Sequence, residues 1–562
     1  MSIDCYRHMI GMNFECLPNE LLFDIFELLN SIELIQTFSN LNTRLNRLLS
    51  IYLKHYPINF RSISSQRNFD SICQNSIQLL TNQIHSISLS NDDQTPNLPT
   101  KFLSYQLSFD HLHSLTLHSI HSFAILNEFL TNFSRLTHLY LVQCGYYLNK
   151  TNLLHLINKI WSMSKLVHCQ FDCFSIGQMN FPRMSTISYS IEYFSMKNLH
   201  CDFTDLGHIV QHTPNLREFH PNIECVFQTE QIYLNFDNLT NLNLIFNGSK
   251  YSFEKLVEKL PNLHQLKIQF EHIVLNGDEW EKIVQNHLQL LKSLSFKMTL
   301  ECHDEIELDQ LIESFRTQFW LEQRQWFIRC DWFASNTCLY TLPYAFDEYI
   351  YSKNYQSKST CDFWIYDQVK KLIIETNSYS YRAQFPNVRQ LILNCSFDES
   401  IRTDLINFKR ISSLEVIIRN DIQLNILKSL IQLMTKLYSL KIHFFNKFPV
   451  DFFRMDFRSI YRIDLMNNPR HYARYLTNDE CEILENSLLI QQCRILVVNI
   501  ENRSNLLRLI SKMKNLNSFI FRCKDEINSD EFQQWIEKNL STKFSFSHDH
   551  KDVTIYRLWR IN

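Results

Sequence analysis

Apolar residues recur along most of the chain in the order apolar-x-x-apolar-x-apolar. One copy lies in HLHSLTLHSI, at Leu112, Leu115 and Leu117. Alternation of this kind predicts a short strand that is buried on one face. Sixteen copies begin between Ile84 and Leu516, and most neighbouring copies are 23 to 30 residues apart. The chain is therefore predicted to be an array of similar units rather than a set of unrelated domains.

Helical spacing separates many of these strand patterns. In TNLLHLINKIW, for example, Leu153, Leu156, Ile157 and Ile160 fall on one face of a helix. A strand, a turn and a helix repeated about every 25 residues resemble a leucine-rich repeat. The resemblance implies an α/β solenoid over residues 81–524, curved and irregular, with helices on the convex side and partner-binding positions on the concave side.

The pattern is interrupted between Leu291 and Val369. Residues 300–368 form an irregular, aromatic-rich segment in which longer strands and a loop are expected. Aromatic side chains often anchor interfaces, because they bury a large area at a small entropic cost. One interpretation is a pair of repeats with oversized core residues. The other is an exposed contact with a partner, for which the candidate residues are Tyr349, Tyr351 and Tyr355.

Residues 525–562 depart from the pattern a second time. The segment DEINSDEFQQWIEKNLS predicts a helix, and KFSFSHDHKDVTIYRLW predicts two strands joined by a turn. We interpret them as a β-hairpin-like cap that covers the last apolar face of the array. The turn contains side chains that bind metals in other proteins, but we expect a solvated hairpin tip at His548, Asp549, His550 and Asp552.

The amino-terminal residues follow neither pattern. We assign residues 1–14 to a tail, 15–53 to a module of three short helices and 54–80 to a helical linker. The apolar residues of the first helix occupy more than one face, so both faces are expected to be covered. One face can pack on the two following helices. The other face can bind a partner or seal the end of the array.

This module resembles the F-box, whose opening Leu-Pro-x-Glu-Leu-Leu is matched by LPNELL at residues 17–22. The F-box family also places the module directly before leucine-rich repeats. The resemblance implies docking on the S-phase-kinase-associated adaptor of a cullin-RING ubiquitin ligase. The residues that match the family, and that it assigns to adaptor binding, are Leu17, Pro18, Leu21, Leu22, Ile25, Phe26, Leu29, Leu34, Phe38 and Arg44.

The function implied by this resemblance is that of the substrate-recognition subunit of an SCF-type ubiquitin ligase. The F-box would bind the adaptor, and the repeats would hold an unknown protein target. A receptor of this kind needs no catalytic residues of its own, because it raises the effective concentration of its target near the ligase. The alternative is a leucine-rich-repeat scaffold for protein interactions with no role in ubiquitin transfer.

Composition argues against other classes of function. Only 6 of 562 residues are glycine, and they are too dispersed for a phosphate-binding loop. No catalytic motif is present, so an enzyme is not expected. The net charge of -3 is not the positive excess expected of a protein that binds nucleic acid or an anionic membrane surface.

The 16 cysteines include no pair separated by two residues, so neither a metal nor another cofactor is predicted. No apolar run is long enough to span a membrane, and we expect a cytoplasmic or nuclear location. The scarcity of glycine raises the question of how so many turns are made. Asparagine tolerates left-handed backbone conformations, and we expect it to replace glycine there.

Overall fold

The computed structural model is mixed α/β, with two large and mostly parallel sheets. The residues that it describes are 17–39, 41–63, 66–92, 95–145, 148–173, 181–224, 236–301, 305–333, 336–351, 356–375, 384–394, 406–418, 421–444, 450–455, 457, 459–466, 474–525, 529–540, 544–548 and 554–560.

The chain begins with three helices: α1 (Asn19–Leu28), α2 (Ser31–Phe38) and α3 (Thr43–His55). Asparagine side chains start the second and third helices. Asn30 accepts hydrogen bonds from the first turn of α2, and Asn42 does the same for α3. A further helical stretch follows, comprising α4 (Gln66–Ile72), a π-helical turn (Cys73–Ile77) and α5 (Gln78–Leu80).

The first sheet contains thirteen strands among the described residues. Its first ten strands are parallel and follow chain order. They are β1 (Ile58–Asn59), β2 (Ser86–Ser90), β3 (Ser114–His118), β4 (His138–Cys144), β5 (His168–Cys173), β6 (Tyr193–Cys201), β7 (Glu218–Glu224), β8 (Asn241–Asn247), β9 (Gln265–Glu271) and β10 (Ser293–Glu301).

Three antiparallel strands form the last edge of this sheet. They are β11 (Phe327–Phe333), β12 (Asn336–Leu342) and β14 (Gln356–Ser359), in the order β10-β12-β11-β14. The helices between the strands are α6 (Leu98–Ser104), α7 (Phe123–Asn132), α8 (Lys150–Trp161), α9 (Phe203–Gln211), α10 (Lys250–Val257), α11 (Gly277–His287) and α12 (Glu305–Glu313).

The second sheet contains ten strands among the described residues, in the order β13-β15-β16-β17-β18-β19-β20-β21-β23-β22. Its strands are β13 (Glu348–Tyr351), β15 (Lys371–Ile374), β16 (Gln390–Leu393), β17 (Ser413–Ile418), β18 (Ser439–Phe444), β19 (Arg462–Asp464), β20 (Ile495–Ile500), β21 (Ser518–Cys523), β22 (Phe544–His548) and β23 (Tyr556–Arg560).

The helices of this second half are α13 (Asp421–Leu433), α14 (Val450–Phe453), α15 (Asn478–Glu485), α16 (Leu488–Gln492), α17 (Arg503–Lys512) and α18 (Ser529–Leu540). The helix and the pair of strands predicted at the carboxyl end are present as α18, β22 and β23. The two strands form an antiparallel pair, and β23 joins the edge of β21.

The repeated apolar positions align from strand to strand, as their spacing predicts. Leu115 pairs with Leu139, and Leu117 pairs with Leu141. These side chains are buried on the face that packs against the helices, which we call the core face. The residues between them lie on the opposite face, because side chains alternate along a strand. We call that opposite side the open face.

Asparagine was expected to replace glycine at left-handed turn positions, and its main role in the repeat is a different one. Among the described residues six non-glycine residues have a positive φ, and only Asn97 of these is an asparagine. Instead, an asparagine just before the first apolar position donates to a backbone carbonyl of the preceding unit. The donor-to-acceptor pairs are Asn215 to Tyr189, Asn238 to Pro214, Asn262 to Asp237, Asn387 to Asp367 and Asn515 to Gln491, at 2.7 to 3.3 Å.

The two sheets meet at β12, which is buried on both faces. Leu339 belongs to the hydrophobic core of the first sheet, whereas its neighbours Tyr340 and Leu342 belong to the core of the second. The open face of the first sheet is therefore covered at this end by the beginning of the second sheet. We call this region, with β11, β12, β13 and the residues packed on them, the joint.

Candidate protein-binding surfaces

The amino-terminal module divides the residues predicted to bind the adaptor into two groups. Four are buried within the module and cannot present a surface: Leu22, Phe26, Leu34 and Phe38. The ring of Phe26 lies 5.0 Å from that of Phe38 and 5.8 Å from that of Tyr52, measured between centroids. These residues form the contacts that hold the three helices together. Leu17, Ile25 and Leu29 are partly buried, and Pro18, Leu21 and Arg44 are exposed.

The exposed apolar surface of the module includes Leu28, which the family match did not select. Leu28 is 84 % exposed, Leu41 is 61 % exposed and Leu21 is 48 % exposed. Leu21 and Leu28 are seven residues apart in α1 and therefore share a helix face. The two-sided apolar pattern of this helix was the signal that could have identified Leu28. We call Leu21, Leu28 and Leu41 the leucine patch.

Arg44 has a structural role that its exposure alone does not reveal. Its guanidinium donates to the Leu17 carbonyl oxygen at 2.5 Å and to Asn19 Oδ1 at 2.8 Å. These bonds tie the start of α3 to the start of α1. Arg44 therefore holds the LPNELL segment in place beside the third helix.

The module is continuous with the first sheet. The Asn59 backbone N–H at the end of β1 donates to Ser31 Oγ at 3.0 Å. The buried leucines of α1 to α3 belong to the same hydrophobic cluster as the repeated apolar positions. The buried side of the module thus covers the first edge of the core, and the residues of the leucine patch remain exposed.

The structure corrects the prediction of an exposed tyrosine cluster. Tyr349 is 8 % exposed and Tyr351 is 4 % exposed, and both lie in the core of the second sheet. The third member, Tyr355, lies outside the described residues. Their burial has a physical reason, because β13 is the first strand of the second sheet and packs on β12, where the ring centroids of Tyr349 and Tyr340 are 6.2 Å apart. Of the two interpretations of this aromatic segment, core packing is the one that fits these two residues.

The phenol groups of the joint converge on a buried ion pair. Arg329 Nε donates to Asp331 Oδ1 at 2.9 Å, and both side chains are almost completely buried. The other carboxylate oxygen, Asp331 Oδ2, accepts from the hydroxyl groups of Tyr340 at 2.5 Å and Tyr349 at 2.7 Å. Tyr340 also shares a hydrogen bond of 2.8 Å with Tyr366. Burial and the Asp331 carboxylate raise the pKa of each of these three tyrosines, so the phenols stay protonated.

The open face of the first sheet carries a continuous row of aromatic and polar side chains. The ring of His168 stacks on Tyr193 with centroids 3.6 Å apart, and on its other side it lies 5.5 Å from His138. Tyr193 Oη lies 3.2 Å from His220 Nδ1, and His220 Nε2 lies 3.0 Å from Glu218 Oε1. We call His138, His168, Tyr193 and His220 the aromatic ladder.

Two of the ladder histidines, His168 and His220, are neutral near pH 7. Burial, together with the nearby His138 and His220, lowers the pKa of His168 to about 4. Burial also lowers the pKa of His220, although Glu218 opposes the shift. Glu218 accepts from protonated Nε2 of neutral His220, which leaves Nδ1 to accept from the Tyr193 hydroxyl. His168, Tyr193 and His220 therefore offer rings and hydrogen-bonding groups without adding positive charge.

Side chains that could serve metal chemistry do not cluster among the described residues, where no group of three or more His, Cys, Asp or Glu could hold an ion. Cys169, which lies next to His168 in the sequence, points to the core face, and burial raises its pKa to about 12. His548 is the one described residue of the carboxyl-terminal histidine and aspartate group, since Asp549, His550 and Asp552 lie outside the described part of the chain.

No protein-family model and no curated protein matches this chain. Within the described residues, no helix is both long and apolar enough to cross a bilayer.

Proposed function

We propose that the protein is the substrate-recognition subunit of an SCF-type cullin-RING ubiquitin ligase. In this proposal the amino-terminal module is an F-box that binds the S-phase-kinase-associated adaptor. The two sheets with their helices form a leucine-rich-repeat solenoid that holds a protein target. The chain supplies no chemistry of its own and acts by keeping the target near the ubiquitin-charged enzyme.

The observation that supports this proposal most strongly is the leucine patch. Three exposed leucines in one small module, among them Leu28 at 84 %, provide apolar surface of the kind that partner proteins cover. The rest of the module is well packed, so the patch is not a sign of a poorly formed core. Its position at the end of the array leaves the sheets accessible to a second protein.

The experiment that tests the proposal is co-purification of the full chain with the adaptor after co-expression. The double variant L28D/L41D places charge on the patch without touching the buried core, and we expect it to lose adaptor binding. The matched control is L433D/L488D, which changes two exposed leucines on α13 and α16. Wild-type chain that does not retain the adaptor, or equal retention by L28D/L41D, would overturn the proposal.

A scaffold without a ubiquitin role is the second candidate, and one observation favours it. The buried side of the module belongs to the same core as the first strands, as expected of a cap that seals the array. Deleting the module would expose that core and could not separate the two functions. Adaptor co-purification separates them. A scaffold predicts no adaptor binding by the wild-type chain, whereas the receptor predicts binding that L28D/L41D loses.

A further inference from the structure

Lys267 is an unusual residue on the open face of the first sheet. Its ammonium donates to the Ala345 carbonyl oxygen at 2.7 Å and lies 5.0 Å from the centre of the Phe346 ring. Among the described residues no carboxylate lies within ion-pair distance of it. Burial lowers its pKa, and the ammonium groups of Lys197 and Lys370 lower it further, although Asp347 opposes them. The site thus holds a partly buried cation near two other cations and one carboxylate, that of Asp347.

The nearby acidic groups are already occupied. Glu218 is bonded to His220, and Asp347 faces Lys370 at 3.7 Å. Asp172 pairs in register with Lys197 across β5 and β6 and is buried, and no ion pair between the two is found among the described residues. Lys197 is exposed, and no ion pair to it is found in the described part of the chain.

In the second sheet, a lysine on the open face forms an ion pair with a carboxylate of the neighbouring strand. On its open face Lys441 Nζ lies 2.9 Å from Glu415 Oε1, and His443 Nε2 lies 2.8 Å from the same oxygen. These bonds lower the pKa of Glu415 to about 2. A lysine on this type of surface can therefore form an ion pair with a neighbouring strand, whereas no described carboxylate lies within ion-pair distance of Lys197 or Lys267.

The unpaired lysines continue the aromatic ladder. His220 lies on β7, and the corresponding open-face residues of the next two strands are Asn243 and Lys267, which are register partners. The open face thus presents, in order across the strands, stacked rings, a hydrogen-bonding amide and an unneutralised ammonium. Lys197 flanks this row near His220, whose pKa it helps to lower.

We propose that this surface binds an extended acidic peptide segment that contains aromatic side chains. Its carboxylates lie over Lys197 and Lys267, and an aromatic side chain stacks at the exposed His138 end of the ladder. Carboxylates at these positions add counter-charge within ion-pair distance of the two lysines, and the stacked rings supply area at a small entropic cost. The inference rests on the proposed function in one respect, because the segment would belong to the target that the array holds.

Nucleic acid fits this surface less well. A duplex requires many phosphate contacts for useful affinity, and the patch offers two unpaired lysines in a chain of net charge -3. A short acidic peptide needs only a few contacts and can lie across adjacent strands.

The test uses the full chain and fluorescence anisotropy with a labelled peptide of alternating glutamate and tyrosine. The comparison peptides replace every glutamate by glutamine, or every tyrosine by alanine. We expect the glutamate–tyrosine peptide to bind most tightly, with an affinity that falls as salt is raised. The K197E/K267E variant is expected to bind it at least about tenfold more weakly, since two attractive contacts become repulsive.

The matched control is K282E/K512E, which makes the same charge change on the exposed helices α11 and α17. K197E alone keeps the test valid if substitution at the partly buried Lys267 impairs folding, because Lys197 is exposed. Equal affinity for the glutamate and glutamine peptides, or equal loss in the control variant, would overturn the inference. The same preparations are assayed for adaptor binding, so retained adaptor binding with no acidic-peptide preference refutes this inference and leaves the proposed function standing.

Discussion

The amino-terminal module and the joint were both expected to contact partners, and only the module presents some of its predicted side chains, Pro18, Leu21 and Arg44, to solvent. In the module, Leu28 and Leu41 remain exposed while the neighbouring Leu22 and Phe26 are buried. In the joint, Tyr349 and Tyr351 lie inside a core. Both regions are apolar interruptions of the repeat, so composition alone does not distinguish them.

The difference lies in where each region can place its apolar side chains. The module is a small helical unit at the end of the array, and only one side of it meets the core of the first sheet. The joint lies between two sheets, and each face of β12 meets a different core. An apolar segment at an end can keep a free face, whereas one between two sheets is covered on both sides.

The largest expected effect comes from breaking the joint at Asp331. Asp331→Ala leaves the buried Arg329 guanidinium and two phenol hydroxyls without their acceptor, and we expect a loss of about 3 to 5 kcal/mol in the free energy of unfolding. Urea denaturation followed by tryptophan fluorescence measures it, because Trp364 stacks on Arg329 at 4.4 Å. Asp347→Ala, in an exposed pair with Lys370, should change stability by less than about 1 kcal/mol. Equal effects of the two substitutions would contradict the structural role of the buried pair.

A pair of leucine substitutions sharpens the contrast within the module. Leu22→Ala removes a fully buried side chain, and we expect a loss of about 2 to 5 kcal/mol in stability. Leu28→Ala changes an exposed side chain and should alter stability by less than about 0.5 kcal/mol, while weakening adaptor binding if the proposed function is correct. Thermal denaturation and adaptor co-purification are measured on both variants. A large stability loss in Leu28→Ala would show that the patch is part of the core.

Among the substitutions of buried residues, the smallest expected loss of stability is at Tyr349. Tyr349→Phe removes one hydrogen bond to Asp331 and should lower the free energy of unfolding by about 1 to 2 kcal/mol at neutral pH.

The buried tyrosines of the joint also predict that the protein loses stability at alkaline pH. The pKa values of Tyr340, Tyr349 and Tyr366 are raised in the folded protein, so the unfolded chain releases these protons first. Their contribution to stability is complete below about pH 10 and is lost as pH rises above it.

The measurement for this third prediction is urea denaturation between neutral pH and about pH 11. The slope of stability against pH should become shallower in Tyr349→Phe, because one fewer proton is retained on folding. An unchanged slope would indicate that Tyr349 does not share in the buried network. Tyr438→Phe, which changes an exposed tyrosine, serves as the control.

The positions of the parallel strands could be predicted from the sequence, because the apolar pattern marks the same register in each unit. Leu115, Leu139 and Cys169 pair across adjacent strands with the spacing that their sequence positions imply. The helical character of the module and of the carboxyl-terminal cap was also predictable from local periodicity.

The joint could not be predicted in the same way. Tyr340 and Leu339 are adjacent and both buried, so no alternation of polar and apolar residues indicates which face is covered. Which face of β12 is covered depends on how one sheet packs on the other, and that packing is determined by residues far away in the sequence. The unpaired state of Lys267 is likewise invisible in the sequence, since it depends on which neighbouring carboxylates are already bonded.

The asparagine contacts between successive units have a consequence for how such a chain can change over time. Each asparagine donates to a backbone carbonyl of the unit before it, and every unit provides a carbonyl regardless of its side chains. Duplication or loss of a whole unit therefore leaves a donor facing an acceptor at the new boundary. Related chains can therefore differ in the number of units, and in the length of the open face, while the contacts between successive units stay the same.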